Sequence, residues 1–285
     1  MGLQRTVAET IRFAGQSLHL GLYSQVAITA LPVNSGIQFE RSDLPDRPRV
    51  SATTDNVISI KRSVAVGRDG WSIATVEHLM AAFCGLEIDN ALVSVSCPEL
   101  PAGDGSALFF CKLLLKAGSL QQPAPRKRWR INRPLWVETP ATSIQPPITR
   151  SSIVILPSEQ LAVSCVFDSP HPVVGSQYFS LTVTPENFLK ELAPARTIAF
   201  MEELELLRHA GLALCDDPNC AVLVGNEGYL NELRFMDEIV RHKILDLLGD
   251  LFLAGRILGH IIAICPGHTV DFELAKLIQQ DRSAE

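Results

Sequence analysis

The chain has 285 residues, 47% of them hydrophobic and 20% charged, with a formal net charge of −6. This length and composition suit a soluble globular protein with a substantial core, and the negative balance argues against a nucleic-acid partner held by blanket phosphate neutralisation. Seven scattered cysteines, odd in number and without C-x-x-C spacing, argue against a disulfide framework or a thiolate zinc finger and fit a reducing compartment; without a secretory leader, the cytoplasm is the expected location.

In chain order, Thr6 to Ile37 alternates apolar and polar residues around Gly15 and Gly21 and is predicted as strands joined by turns. Ala74 to Gly85 reads as a helix, Asn90 to Val95 as a strand and Ser106 to Lys116 as a second helix. The polar, proline-containing, basic stretch around residues 123–128 is the expected linker, separating an N-terminal domain (1–122) from a C-terminal one (129–285). Beyond it, Trp129 to Glu138 and Ser152 to Phe167 are predicted strands, and Pro185 to Leu192 and Met201 to Ala210 short helices. A long helix follows from Glu238 to Ala254, then a strand at His260 to Ile264 and a final helix from Asp271 to Gln280. Strands before helices in both halves predict two α+β domains of similar plan. The apolar run Leu245 to Cys265 is broken by Asp246, Asp250, Arg256 and His260, so stable membrane insertion is not expected.

Residues four apart on a helix share a face, so His242, Asp246 and Asp250 form one polar stripe, which either meets solvent or lines a site. Glu77 and His78, at a predicted helix start, diverge by about 100°, so one can bind a metal while the other reaches a bound water. His78 is equally readable as an ordinary helix histidine. Taken together, two imidazoles, one carboxylate and a spare carboxylate make the inventory of a hydrolytic zinc site with an open position for water.

With these residues in hand, the chain resembles the bacterial UDP-3-O-acyl-N-acetylglucosamine deacetylase family nearly end to end. The resemblance is carried by Ser17-Leu18-His19-Leu20-Gly21, Thr75-Val76-Glu77-His78-Leu79, Ile88-Asp89-Asn90, Pro98-Glu99-Leu100-Pro101 with Asp104-Gly105-Ser106-Ala107, Ala195-Arg196-Thr197, Arg241-His242-Lys243-Ile244-Leu245-Asp246 and Gly267-His268. It implies one zinc ion on His78, His242 and Asp246, Glu77 as general base, Thr197 as an oxyanion donor, His268 as general acid oriented by Asp250, and Lys243 as added positive charge. It also implies two sheet-and-helix layered domains with their helical layers facing each other across the site. A β-α-β insert near 207–233 would take the acyl chain, with Leu18, Ile198 and Phe200 as substrate contacts. The implied activity is removal of the N-acetyl group of a UDP-acyl-sugar, the committed step of lipid A synthesis, by a monomer. Rival readings are a catalytically silent lipid-sugar binder and a zinc amidase for another N-acylated substrate. The chain departs from the family pattern at Cys215 to Asn219, which implies altered acyl entry, and at Leu156 and Cys265-Pro266, which implies a weaker grip on the diphosphate.

Overall fold

The computed structural model describes residues 2–140 and 150–283. The first half contains β1 (Leu3–Val7), β2 (Ile11–Gln16), β3 (Tyr23–Ala30), β4 (Ile37–Arg41), β5 (Arg49–Ser51), β6 (Val57–Ser59), β7 (Ala65–Arg68), β8 (Trp71–Ala74), α1 (Glu77–Gly85), β9 (Ala91–Val95), α2 (Leu108–Ala117) and β10 (Ser119–Pro125). The second contains β11 (Trp129–Arg130), β12 (Leu135–Pro140), β13 (Arg150–Leu156), β14 (Leu161–Asp168), β15 (Ser176–Thr182), α3 (Pro185–Asn187), β16 (Ile198–Phe200), α4 (Met201–His209), β17 (Val222–Val224), α5 (Glu238–Phe252), β18 (Ile257–Ile264) and α6 (His268–Ser283).

The two main sheets follow one plan. The first has the order β2-β3-β9-β4-β5, with β9 antiparallel to β3 and parallel to β4. The second has β12-β13-β18-β14-β15, with β18 antiparallel to β13 and parallel to β14, and β11 also pairing with β18. In each, the last strand made enters the middle. β9 is buried at every position, as a central strand covered on both faces must be, whereas β18 alternates with Ile257, Gly259, Ile261 and Ala263 inward. One helix precedes each central strand (α1, α5) and one follows it (α2, α6).

α5 lies on β14 and β15 and meets α1 on another side, so the helical layers face one another. Gly249 sets how closely they approach: a Cβ there would stand 2.1 Å from the Glu77 carbonyl oxygen. A helical glycine costs about 1 kcal/mol against alanine, and here it lets two backbones touch. The halves differ in what connects sheet to helix. Between β5 and α1 lies the three-stranded β6-β7-β8; between β15 and α5 lies β16-α4-β17, whose two strands pair parallel.

Two expectations are corrected. Residues 123–125, read as linker, belong to β10, which pairs antiparallel with β1. Its largely exposed surface explains the polar composition, and an edge ribbon tolerates proline. Arg126 is not a solvated cation either, since it is buried against Asp89 and Glu87. The β-α-β unit expected near 207–233 begins earlier, at Ile198, and its second strand closes at Val224. Three-residue strands carry too little periodicity to be read. Among the described residues, no helix is long and apolar enough to cross a membrane.

Candidate metal centre and active site

Every residue of α5 except Lys243 is buried, so the stripe of His242, Asp246 and Asp250 does not face solvent. What covers it is the first turn of α1. His78 Nε2 lies 3.5 Å from Asp246 Oδ1, and His242 Nε2 lies 3.3 Å from the same oxygen. The two imidazole rings meet edge to face at 5.0 Å. Four ligand atoms set tetrahedrally about 2.0–2.1 Å from zinc stand roughly 3.3 Å apart, so this spacing is that of a zinc coordination edge.

Hydrogen bonding sharpens the fit. His242 Nδ1 is 3.1 Å from the Ala195 carbonyl, which can only accept, so Nδ1 carries the proton and Nε2 of the neutral ring offers a lone pair. Burial lowers the His242 pKa to about 4, which keeps the ring neutral. Asp246 Oδ1 is buried without a hydrogen-bond partner. Burial would raise its pKa, but the nearby His242, His78 and Lys243 hold it well below the usual range. A nitrogen lone pair facing an orphan carboxylate oxygen is satisfied by a cation between them, and the donor set of two imidazoles and one carboxylate suits zinc.

Beside this cluster stand an acid and a base. Burial pushes the Glu77 pKa up to about 7, against the pull of His268 and His78. Its Oε2 accepts the Val64 N–H at 3.0 Å, while Oε1 is 4.0 Å from His268 Nε2. His268 opens α6, where burial and the helix dipole both oppose a cation. Asp250, 2.7 Å from its Nδ1, overrides them, and the imidazole is pushed up to about 10.

The backbone leading into α1 is strained. Thr75, β-branched, has φ of 58°, and its hydroxyl donates to Glu99 at 2.8 Å. Glu99 also accepts the N–H groups of His19 and Leu20. One buried carboxylate thus joins the 17–20 turn to the start of α1.

Thr197 is set by the preceding residue. Arg196 forms a buried ion pair with Glu238 at the start of α5, while the Thr197 N–H donates to Gly105 and its carbonyl accepts from Val222. Glu77, His78, Asp246, Lys243, Thr197 and His268 all line one cavity of about 270 Å³. Leu18, Ile198 and Phe200 line it too, half-buried, with Phe200 against the His171 ring. His242 and Asp250 stand behind it. Lys243, whose side chain is 23% exposed, lies 3.6 Å from Asp246 Oδ2. Leu156 lies on β13, away from the lining, whereas Cys265 lines the cavity with its sulfur accepting the Asp168 N–H.

Three features escape a reading of the sequence. His19 is a cavity-lining imidazole whose ring nitrogens are buried without partners, yet in sequence it is one histidine in a turn. Arg62, paired with Glu203 at 2.8 Å, adds a cation to the cavity from a loop without periodicity. Asp271, fully buried beside His268 and Asp250, did leave a signal: an acid in the first turn of α6 that bonds back to Gly267.

The chain matches the family model described as UDP-3-O-acyl N-acetylglycosamine deacetylase over residues 4–280. A protein of Geobacter sp. (strain M21) is 38% identical over 277 residues, covering 96% of this chain and 88% of its own length. One from Syntrophotalea carbinolica is 36% identical over 278 residues (96% and 87%), and one from Acidithiobacillus ferrooxidans 39% over 285 (98% and 91%). All three carry the name UDP-3-O-acyl-N-acetylglucosamine deacetylase.

Proposed function

From the premise that this chain belongs to the UDP-3-O-acyl N-acetylglycosamine deacetylase family, we propose that it is a zinc-dependent hydrolase. Its reaction removes the N-acetyl group of UDP-3-O-acyl-N-acetylglucosamine, releasing acetate and a free amine, as the committed step of lipid A synthesis. His78, His242 and Asp246 hold the metal. When bound, zinc supplies Lewis acidity, polarising a carbonyl and lowering the pKa of water toward about 7.

The remaining chemistry belongs to side chains. Glu77 takes a proton from the attacking water, a task suited to a carboxylate pushed up to about 7. The Thr197 hydroxyl donates to the oxygen that becomes anionic as the amide carbon turns tetrahedral. His268, kept cationic by Asp250, delivers its proton to the departing amine nitrogen, so the leaving group is neutral. Lys243 and Arg62 supply positive charge at the cavity for the developing oxyanion or the substrate diphosphate. The apolar lining from Leu18, Ile198 and Phe200 suits the acyl chain.

The observation that carries this reading is geometric: Glu77 Oε1 stands 4.0 Å from His268 Nε2, whose Nδ1 is held by Asp250, beside a donor set of two imidazoles and one carboxylate at metal-ligand spacing. Both halves of one chain supply the set, which supports a monomer, and seven free thiols support the cytoplasm.

The test is acetate release from the UDP-acyl-sugar by zinc-loaded protein. Glu77→Ala is expected to keep zinc and lose roughly 10²- to 10⁴-fold in kcat. A variant with wild-type turnover overturns the role of Glu77. Wild-type protein that binds the sugar without releasing acetate favours the silent binder, and hydrolysis of only other N-acyl compounds favours the alternative amidase.

A further inference from the structure

Asp271 sits in the first turn of α6, 0% exposed. Its Oδ1 accepts the Gly267 N–H at 3.2 Å while its own N–H donates to the Gly267 carbonyl at 3.0 Å. This reciprocal pair clamps the residue immediately before His268.

Asp250, His268 and Asp271 form a second group whose ligand-type atoms all lie within 4.8 Å of one another. Asp250 Oδ2 is bound to His268 Nδ1, but Asp250 Oδ1 and Asp271 Oδ2 are both buried without partners. Among the described residues, His268 is the one cation bonded to this pair, so two ionised carboxylates would leave one buried negative charge without a bonded counter-ion, and one of them holds a proton. Asp250 has the imidazolium; Asp271 has only a backbone N–H. The proton therefore belongs on Asp271. Burial and the Asp250 charge agree, pushing Asp271 far above the usual carboxylate range. The other groups facing this cluster are Asp246 and Lys243 from α5, Glu77 and His78 from α1, and the Cys165 thiol from β14.

We infer that Asp271 is a positioning residue for His268: as an uncharged acid it clamps Gly267 and leaves Asp250 the sole carboxylate bound to the imidazolium. This rests on His268 being the acid of the hydrolysis proposed above. The required element is shape and hydrogen bonding, not charge, so an amide should serve. Asn at 271 keeps the acceptor for Gly267 and a donor on the other branch.

The experiment compares zinc-loaded wild type with Asp271→Asn and Asp271→Ala. Asp271→Asn is expected to stay within about threefold of wild-type kcat, and Asp271→Ala to lose roughly 10- to 100-fold with KM changed less than about twofold, the range seen when the partner of an active-site group is removed. Independently of turnover, proton NMR should show the downfield His268 Nδ1 proton in wild type and Asp271→Asn and its loss in Asp271→Ala. An Asp271→Ala enzyme with wild-type kcat and an intact Nδ1 signal overturns the inference. So does an Asp271→Asn enzyme that loses both, since that would require the carboxylate charge; this arm decides alone if Asp271→Ala does not fold. Failure of the wild type to release acetate would sink the hydrolase reading while the NMR comparison still decides the role of Asp271.

Discussion

Helices α1 and α5 hold corresponding positions in the two halves, each leading into the central strand of its sheet, yet they carry chemistry differently. α1 contributes only its first turn, Glu77 and His78, and the rest of it is apolar core: Leu79, Met80, Ala82 and Phe83. α5 contributes along its length, at His242, Asp246 and Asp250. The second pair of helices differs in the same sense. α2 follows an Asp104–Ser106 turn whose carboxylate bonds the Ser106 hydroxyl and Arg234, whereas α6 begins with His268 itself. Buried charges are costly unless paired, and α5 could not bury its stripe against its own sheet. The first turn of α1 supplies His78 to Asp246, so the centre belongs to the seam rather than to either half.

The seam can be broken most completely by Asp246→Ala. It leaves two neutral imidazoles facing a void, and acetate release should fall to background with zinc, measured by atomic emission, falling from one per chain toward none. Retained zinc would remove Asp246 from the ligand set. Gly249→Ala attacks the same seam without touching a polar group. Its methyl would meet backbone at 2.1 Å, so the helices must part, and a loss of roughly 1–3 kcal/mol in denaturant unfolding is expected together with about 10²-fold in kcat. Unchanged stability would mean that the helix contact is looser than described.

The pH dependence sharpens the asymmetry between α2 and α6. With His268 as the proposed acid, active when protonated, kcat/KM should fall as pH rises toward about 10, and Asp250→Asn should move that limb to lower pH. Because the folded pKa is raised, the stability it contributes is fully present below the ordinary value of 6.5 and lost as pH rises through about 10. Alkaline melting curves of wild type and His268→Gln should therefore converge. The smallest effect is expected in the β16-α4-β17 insert. Ile198→Ala should raise KM for the acylated sugar by roughly tenfold or less and leave the unacylated sugar unaffected, since a few methylenes discriminate weakly.

How much of this was legible follows from what each signal depends on. The spacing of His242, Asp246 and Asp250 is local, so their shared face could be read from sequence. Whether that face was wet or buried depended on α1, more than 150 residues away, which no local pattern encodes. His268 could be assigned only through resemblance, because its partner Asp250 lies on another helix. Strands β4 to β8, at three to five residues each, carry too little periodicity to be legible in the sequence. The polar ribbon β10 read as a linker because both its faces are largely wet.

The late arrival of each central strand bears on how the molecule is made. β18 must enter between β13 and β14 about a hundred residues after β13 has been synthesised, a pairing of long sequence separation that folds slowly. Until the ribosome has passed Ile264, β13 and β14 offer unpaired edges to any neighbouring chain, and His268 has no helix to begin. His268, which follows β18 in the chain, therefore meets Asp250 of α5 only after the centre of the second sheet has been made.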